Sequence, residues 1–216
     1  MNYRDSINSK KALIWRIIHI DNLDWVLENG LHSGNSEIKS TTWVNIGNKD
    51  LINRRAEIAV PNHSNTVLND YIPFYFTPFS PMMMNIHYGR GVEKQKNEDI
   101  IILVSSLFHL KEHGIPFVFT DGHACYKWSN FYSDLKNLNK INWDILQTRD
   151  FKRDPDDPRK FEEYQAEALV YQSCPITAVL GIIYFNEEVR KIIENKLVTR
   201  KINSIKVLAR SNWYFS

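Results

Sequence analysis

Glu167 stands in the run FEEYQAEALVYQ (161–172), enclosed by Ala166, Ala168, Leu169, Val170 and Tyr171. A carboxylate among apolar side chains is costly unless something compensates it. Its position therefore asks either for a helix that turns it to solvent or for a strand that points it into a cleft. On a helix, Glu163 and Glu167 share a face four residues apart, and propensity favours that state. On a strand, Gln165, Glu167, Leu169 and Tyr171 share one face. Local sequence leaves both open, and Glu162 and Glu163 read as solvated charges ahead of it.

Other residue types carry their own chemistry. The pair Arg54–Arg55 offers guanidinium groups, which grip phosphate oxygens in a fork. His19 lies beside isoleucines in IIHIDN, where a histidine is either a half-buried structural residue or a ligand contact. In TDGHACYKWSNFYSDL (120–135), Tyr126, Trp128, Phe131 and Tyr132 are interleaved with His123 and Lys127. Aromatic rings that stack on unpaired bases, beside cations that meet phosphates, suit single-stranded nucleic acid. The same aromatics would equally make a hydrophobic wall. Before Glu167 the segment NWDILQTRDFKRDPDDPRKFEEYQ sets Arg149, Lys152, Arg153, Arg159 and Lys160 against Asp150, Asp154, Asp156 and Asp157. It reads as a charged loop restrained by Pro155 and Pro158.

These residues need a scaffold. At 216 residues, with 43% hydrophobic and 24% charged side chains, the chain fits one globular domain with a sizeable core. A formal charge of +2 neither demands a nucleic-acid partner nor excludes a local basic patch. Cys125 and Cys174 are far apart and show no zinc-ligand spacing, so two reduced thiols and no metal are expected. The polar N-terminus has no secretion signal and no long apolar run follows, so a cytoplasmic protein without membrane contact is expected.

Strand-like runs are ALIWRIIHI (12–20), DYIPFYF (70–76), DIIILVSSL (99–107), IPFVFT (115–120), LGIIYF (180–185) and INSIKVLA (202–209). DNLDWVLENGL predicts a short helix with Asp21 as N-cap and Gly30 as its stop. NEEVRKIIENKLVTR spaces Val189, Ile192, Ile193 and Leu197 as a helix does. Residues 34–69 form a long polar stretch, where binding loops are often found. The pattern is α+β without a βαβ repeat or a glycine-rich phosphate loop, which disfavours Rossmann and P-loop folds.

The fragments RIIHIDNLDWVLENGL, INRRAEIAVP, DYIPFYFTPFSPMMMNIH, IILVSS, PFVFTDGHA, FYSDLKNL, YQAEALVY and the terminal WYF together resemble the DarT family of DNA ADP-ribosyltransferase toxins. The resemblance implies a single ADP-ribosyltransferase domain over 1–216. Its sheet would be split and mostly antiparallel, with helices around an NAD cleft and QAEALVY on a strand that turns Glu167 into that cleft. NAD would be the co-substrate, with no metal. Glu167 and Arg55 would be catalytic, and His19, Asp21, Asn22, Gly47, Arg55 and Tyr75 would hold NAD. His123, Tyr126, Lys127, Trp128, Arg149 and Arg153 would bind DNA. Gly47, in the NIGN turn, is expected to supply backbone freedom.

The implied activity is that of a toxin transferring ADP-ribose to a base of single-stranded DNA, with thymine favoured over guanine and a macrodomain antitoxin as partner. Transfer to RNA or protein, or an inactive NAD- or nucleic-acid-binding module, are the alternatives. Two positions depart from the family pattern: Arg16 and Asn69 stand where relatives carry histidine.

Overall fold

The computed structural model describes residues 3–63 and 65–216. Among the described residues ten strands occur: β1 Leu13–His19, β2 Leu31–His32, β3 Tyr71–Tyr75, β4 Ile100–Ser106, β5 Phe117–Thr120, β6 Phe131–Tyr132, β7 Glu167–Tyr171, β8 Ser173–Cys174, β9 Gly181–Tyr184 and β10 Lys206–Ala209. Eight of them form one sheet in the order β10-β9-β4-β1-β3-β7-β5-β6, and β2 pairs with β8 apart from it. Within the large sheet every pairing is antiparallel except β10 with β9. All six long strand-like runs of the sequence are strands.

The sheet is split in its middle. β1 pairs with β4 from Leu13↔Ser106 to His19↔Ile100, yet it meets β3 only at Trp15↔Tyr75. Pro73 contributes to this break, because proline has no N–H to offer a neighbouring strand. Its carbonyl instead accepts a hydrogen bond from Nη1 of Arg16 at 2.7 Å. The two half-sheets diverge beyond that point, and the seam is where a cleft opens.

β7 is central. Ala168 lies between Phe74 and Phe119, and Leu169 between Pro73 and Val118. Burial on both sides explains its apolar run, and this packing overrides the helical propensity of the segment. The propensity is still expressed just upstream, where Lys160–Glu163 forms a one-turn helix that ends before the strand begins.

Helices pack around the sheet: α1 Leu23–Asn29, α2 Lys49–Arg55, α3 Pro81–Tyr88, α4 Leu107–Glu112, α5 Trp143–Thr148, α6 Lys160–Glu163 and α7 Glu187–Thr199. Gly30 stops α1 as expected, at φ +79°, and a Cβ there would lie 2.6 Å from the Cys174 carbonyl oxygen. The expected N-cap is corrected: the imidazole of His19, not Asp21, caps the 3₁₀ turn before α1 by accepting the Asp21 amide at 3.2 Å. Val189, Ile193 and Leu197 of α7 are buried, while Ile192 faces solvent. The polar stretch 34–69 contains α2, which the sequence pattern did not indicate. Both cysteines are buried and unpaired, and no described helix is long and apolar enough to cross a membrane.

Candidate active site

At the seam a cleft of about 140 Å³ is lined by Arg16, Gly47, Arg55, Tyr75, His123 and Glu167, among others. Glu167 is the first residue of β7, and its amide donates to Oγ1 of Thr120 at 3.1 Å. Tyr75 sits opposite it in the register of β3 with β7. The other wall is α2, whose N-cap Asn48 accepts the Leu51 amide at 3.0 Å. Two turns later α2 delivers Arg55.

Glu167 and Arg55 are 3% and 7% exposed. Nη1 of Arg55 donates to Oε2 of Glu167 at 2.9 Å, and the Ala124 amide donates to Oε1 at 3.0 Å. Burial by itself favours the neutral acid. The charge of Arg55, with the Ala124 amide and the neighbouring His123 ring, outweighs it and holds the carboxyl below its ordinary pKa. The costly glutamate is thus compensated, and the compensation keeps it anionic.

His123 is part of the same turn. Its Nδ1 accepts the Cys125 amide at 3.1 Å, which places the ring proton on Nε2. Burial and the nearby Arg55 outweigh the attraction of Glu167, so the imidazole titrates below its ordinary value and is neutral. The 3.6 Å separation of Nδ1 from Oε1 of Glu167 is accordingly no ion pair.

The residues expected to hold a dinucleotide are distributed unevenly. Asn22 lines the cleft, but both of its amide atoms are committed: Nδ2 donates to the Val44 carbonyl and Oδ1 accepts the Val44 amide, each at 2.8 Å. It therefore pins the 43–47 wall in place. His19 is turned to its capping role and Asp21 is 71% exposed at its side chain; neither lines the cleft.

Gly47 lines it for a reason other than the one expected. Its φ is not in the left-handed region; rather, a Cβ would come within 3.1 Å of Ile52 and 3.2 Å of the Asn45 side chain. Tyr75 directs its hydroxyl to the sulfur of Met82 at 3.3 Å, and burial raises its pKa. Asn69 lies outside the cleft lining, and its carbonyl accepts the Asn35 amide at 3.1 Å.

At the lip of the cleft, His123 meets Tyr126 edge-on at 5.2 Å, and Tyr126 stacks on Trp128 at 5.3 Å with the planes 7° apart. Trp128 is 59% exposed, and its indole N–H is anchored by Glu162. An aromatic path thus leads from the floor of the cleft to an open indole face, with Lys127 exposed beside it. Glu162 and Glu163 are not simply solvated, since Glu163 accepts from Asn142 at 2.8 Å. Phe131 and Tyr132 form β6 and pack as wall.

The two arginines expected to bind DNA differ. Arg153 is exposed over the ring of Phe161 at 4.7 Å. Arg149 is turned into the fold, 3.9 Å from the ring centre of Tyr3, and its Nη1 donates to the Asn212 carbonyl at 3.1 Å. Two roomier hollows, of about 510 and 390 Å³, are open surface features that do not include Glu167.

Arg16, a departure from the family pattern, is also part of the cleft lining. The signal was available: one cation within the otherwise apolar run ALIWRIIHI is the counterpart of Glu167 in YQAEALVY. Nε of Arg16 and Nη2 of Arg55 are buried without a hydrogen-bond partner among the described residues. Unsatisfied donors on two guanidinium groups at one cleft fit a ligand rich in phosphate and hydroxyl oxygens.

Comparisons with known proteins agree with this geometry. The family model described as "ssDNA thymidine ADP-ribosyltransferase, DarT" matches residues 15–215. A DNA ADP-ribosyl transferase of Escherichia coli O127:H6 is 56% identical over all of this chain and 99% of its own length. The structure of Thermus sp. 2.9 DarT in complex with ADP-ribosylated ssDNA superposes with a TM-score of 0.87 at 30% identity, covering 95% of this chain and 97% of that one. The same protein in complex with NAD+ gives 0.81 at 31% identity, covering 95% and 98%. A Thermosipho africanus fusion of a DNA ADP-ribosyl transferase with a DNA ADP-ribosyl glycohydrolase is 26% identical over 88% of this chain and 46% of its own length. With its split antiparallel sheet and the buried Arg55–Glu167 pair at the seam, the chain belongs to the DarT family of DNA ADP-ribosyltransferases.

Proposed function

We propose that this protein transfers ADP-ribose from NAD to thymine in single-stranded DNA and acts as the toxin of a toxin–antitoxin pair. The observation that carries the proposal is the anionic Glu167, clamped by Arg55 and the Ala124 amide on the floor of a cleft whose lip presents Tyr126 and Trp128.

The bond between nicotinamide nitrogen and ribose C1 breaks with its electron pair leaving on nicotinamide. Positive charge then grows on C1 and the ring oxygen. A fixed carboxylate beside that charge, pre-oriented by Arg55, stabilises the transition state more than the bound substrate. The thymine ring nitrogen attacks C1, and its proton must leave at or before attack.

Glu167 is the better acceptor of that proton. Each of its oxygens takes one hydrogen bond and keeps a further lone pair, whereas Nδ1 of His123 is occupied by the Cys125 amide and its Nε2 already carries a proton. His123 instead presents a donor to the acceptor base. Tyr126 and Trp128 offer stacking surface to unpaired bases, and Lys127 and Arg153 offer charge to phosphates. His19, Asp21 and Asn22 support the NAD side from behind, by holding the turn after β1 and the 43–47 wall. Blocking the pairing edge of thymine would halt replication, which is the sense of a toxin. A macrodomain partner that removes the modification completes the proposal, and the Thermosipho fusion of the two activities supports it.

The test is transfer of labelled ADP-ribose from NAD to four oligonucleotides, each lacking one base, with and without a complementary strand. Loss of label only without thymine, and weak labelling of duplex, is the expected result. Loss only without guanine would overturn the base, and labelling of RNA or protein in its place would overturn the substrate.

A further inference from the structure

Arg16 occupies the middle of β1 between the buried Trp15 and Ile17. Its Nη1 is held by the Pro73 carbonyl at 2.7 Å, its Nε is buried without a partner among the described residues, and the accessible remainder of the side chain opens onto the cleft. The groups whose charge or polarity it feels are Tyr75, Arg55 and Cys174, none of them a carboxylate. Burial pushes the guanidinium pKa down to about 10, so it remains charged at neutral pH.

Arg55 is already matched by Glu167. The cleft therefore holds two cations, the buried Arg55 and the half-buried Arg16, against one anion, and the unmatched charge belongs to Arg16. A purely structural latch across the seam would not need that charge, because a neutral amide can donate to the Pro73 carbonyl. A charge largely withdrawn from water and without a partner is costly to keep. It is consistent with a ligand that brings its own negative charge into the site.

We propose that Arg16 is the anion-binding residue of the cleft and takes the diphosphate of the dinucleotide substrate, with Nη1 remaining on Pro73. This rests on NAD being the substrate and adds which part of it Arg16 contacts. Because the same guanidinium ties β1 to β3, diphosphate binding also fixes the width of the seam.

The test measures binding without any acceptor, so it is independent of which base is modified. NAD and nicotinamide riboside, which keeps the reactive end but has no diphosphate, are titrated calorimetrically into the wild type and Arg16→Gln. Inorganic diphosphate is then used to displace NAD from each. Loss of one charge-assisted phosphate contact is expected to weaken NAD about tenfold or more in Arg16→Gln, with nicotinamide riboside unchanged. Diphosphate should displace NAD from the wild type, and Arg16→Lys should restore part of the affinity. Equal weakening of NAD and nicotinamide riboside would mean that Arg16 acts only through the sheet and would overturn the proposal. Failure of diphosphate to displace NAD from the wild type would overturn it as well, and that arm decides the matter if Arg16→Gln does not fold.

Discussion

Nη1 of Arg55 lies 2.9 Å from Oε2 of Glu167, with the two side chains 8% and 4% exposed. A buried ion pair of this kind is expensive to break from one side only, because the remaining charge keeps its burial and loses its partner. Arg55→Ala is therefore expected to cost about 3–5 kcal/mol of stability. Glu167→Gln also leaves Arg55 without its anion, but it keeps the volume and an acceptor for the Ala124 amide and opens no cavity, so it should cost less than Arg55→Ala. Urea denaturation of both variants checks the order, and equal costs would contradict it.

The Arg55–Glu167 contact spans 112 residues of sequence, which limits what local reasoning could reach. The long strands were legible because buried strands in a sheet covered on both faces leave apolar runs, as IILVSS and YFTP-flanking IPFYF do. α2 was not legible: of NKDLINRR only Arg55 is buried, so no apolar periodicity exists to find. The family resemblance supplied Glu167 and Arg55 as a pair, and the geometry supplies the reason for pairing them. It also shows what some of the residues that the resemblance grouped as ligand contacts bond within the fold. Both amide atoms of Asn22 and Nδ1 of His19 bond the backbone, a role that residue type alone does not distinguish from binding.

Trp128 and Lys127 are neighbours on the exposed lip and should fail in different ways. Trp128→Ala removes a stacking face and is expected to weaken single-stranded oligonucleotide binding by about 1–3 kcal/mol, leaving NAD affinity unchanged. Lys127→Ala should reduce the slope of log affinity against log salt by about 1. Fluorescence anisotropy over a salt series separates the two; an unchanged affinity for Trp128→Ala would remove the platform from the account.

Arg149 is expected to behave as a structural residue. Its guanidinium covers Tyr3 and bonds the Asn212 carbonyl, so Arg149→Ala should lower stability by about 1–2 kcal/mol and leave oligonucleotide affinity as it is. Thermal melts paired with anisotropy check this. A loss of affinity in a fully stable variant would return Arg149 to the DNA-binding set.

Acidification should destabilise the fold in two stages. The neutral His123 has a depressed pKa, so its contribution is present above about pH 6.5, the unfolded value, and is lost as pH falls from there through the folded value. Glu167 is also depressed, and its contribution is present above about pH 4.3 and lost as pH falls through its own folded value. Both slopes have the same sign: stability rises with pH. His123→Gln, which cannot gain a proton, should flatten the first stage in urea midpoints measured from pH 7 downward. An identical slope in variant and wild type would assign that stage to other groups.

The most direct measurement of the central claim is single-turnover transfer by Glu167→Gln beside its NAD affinity. If the carboxylate acts on charge that develops only in the transition state, NAD binding should stay within about threefold of wild type while transfer to a thymine-containing single strand falls roughly 10²–10³-fold or more. Transfer at the wild-type rate by a folded, NAD-binding Glu167→Gln protein would contradict the account at its centre.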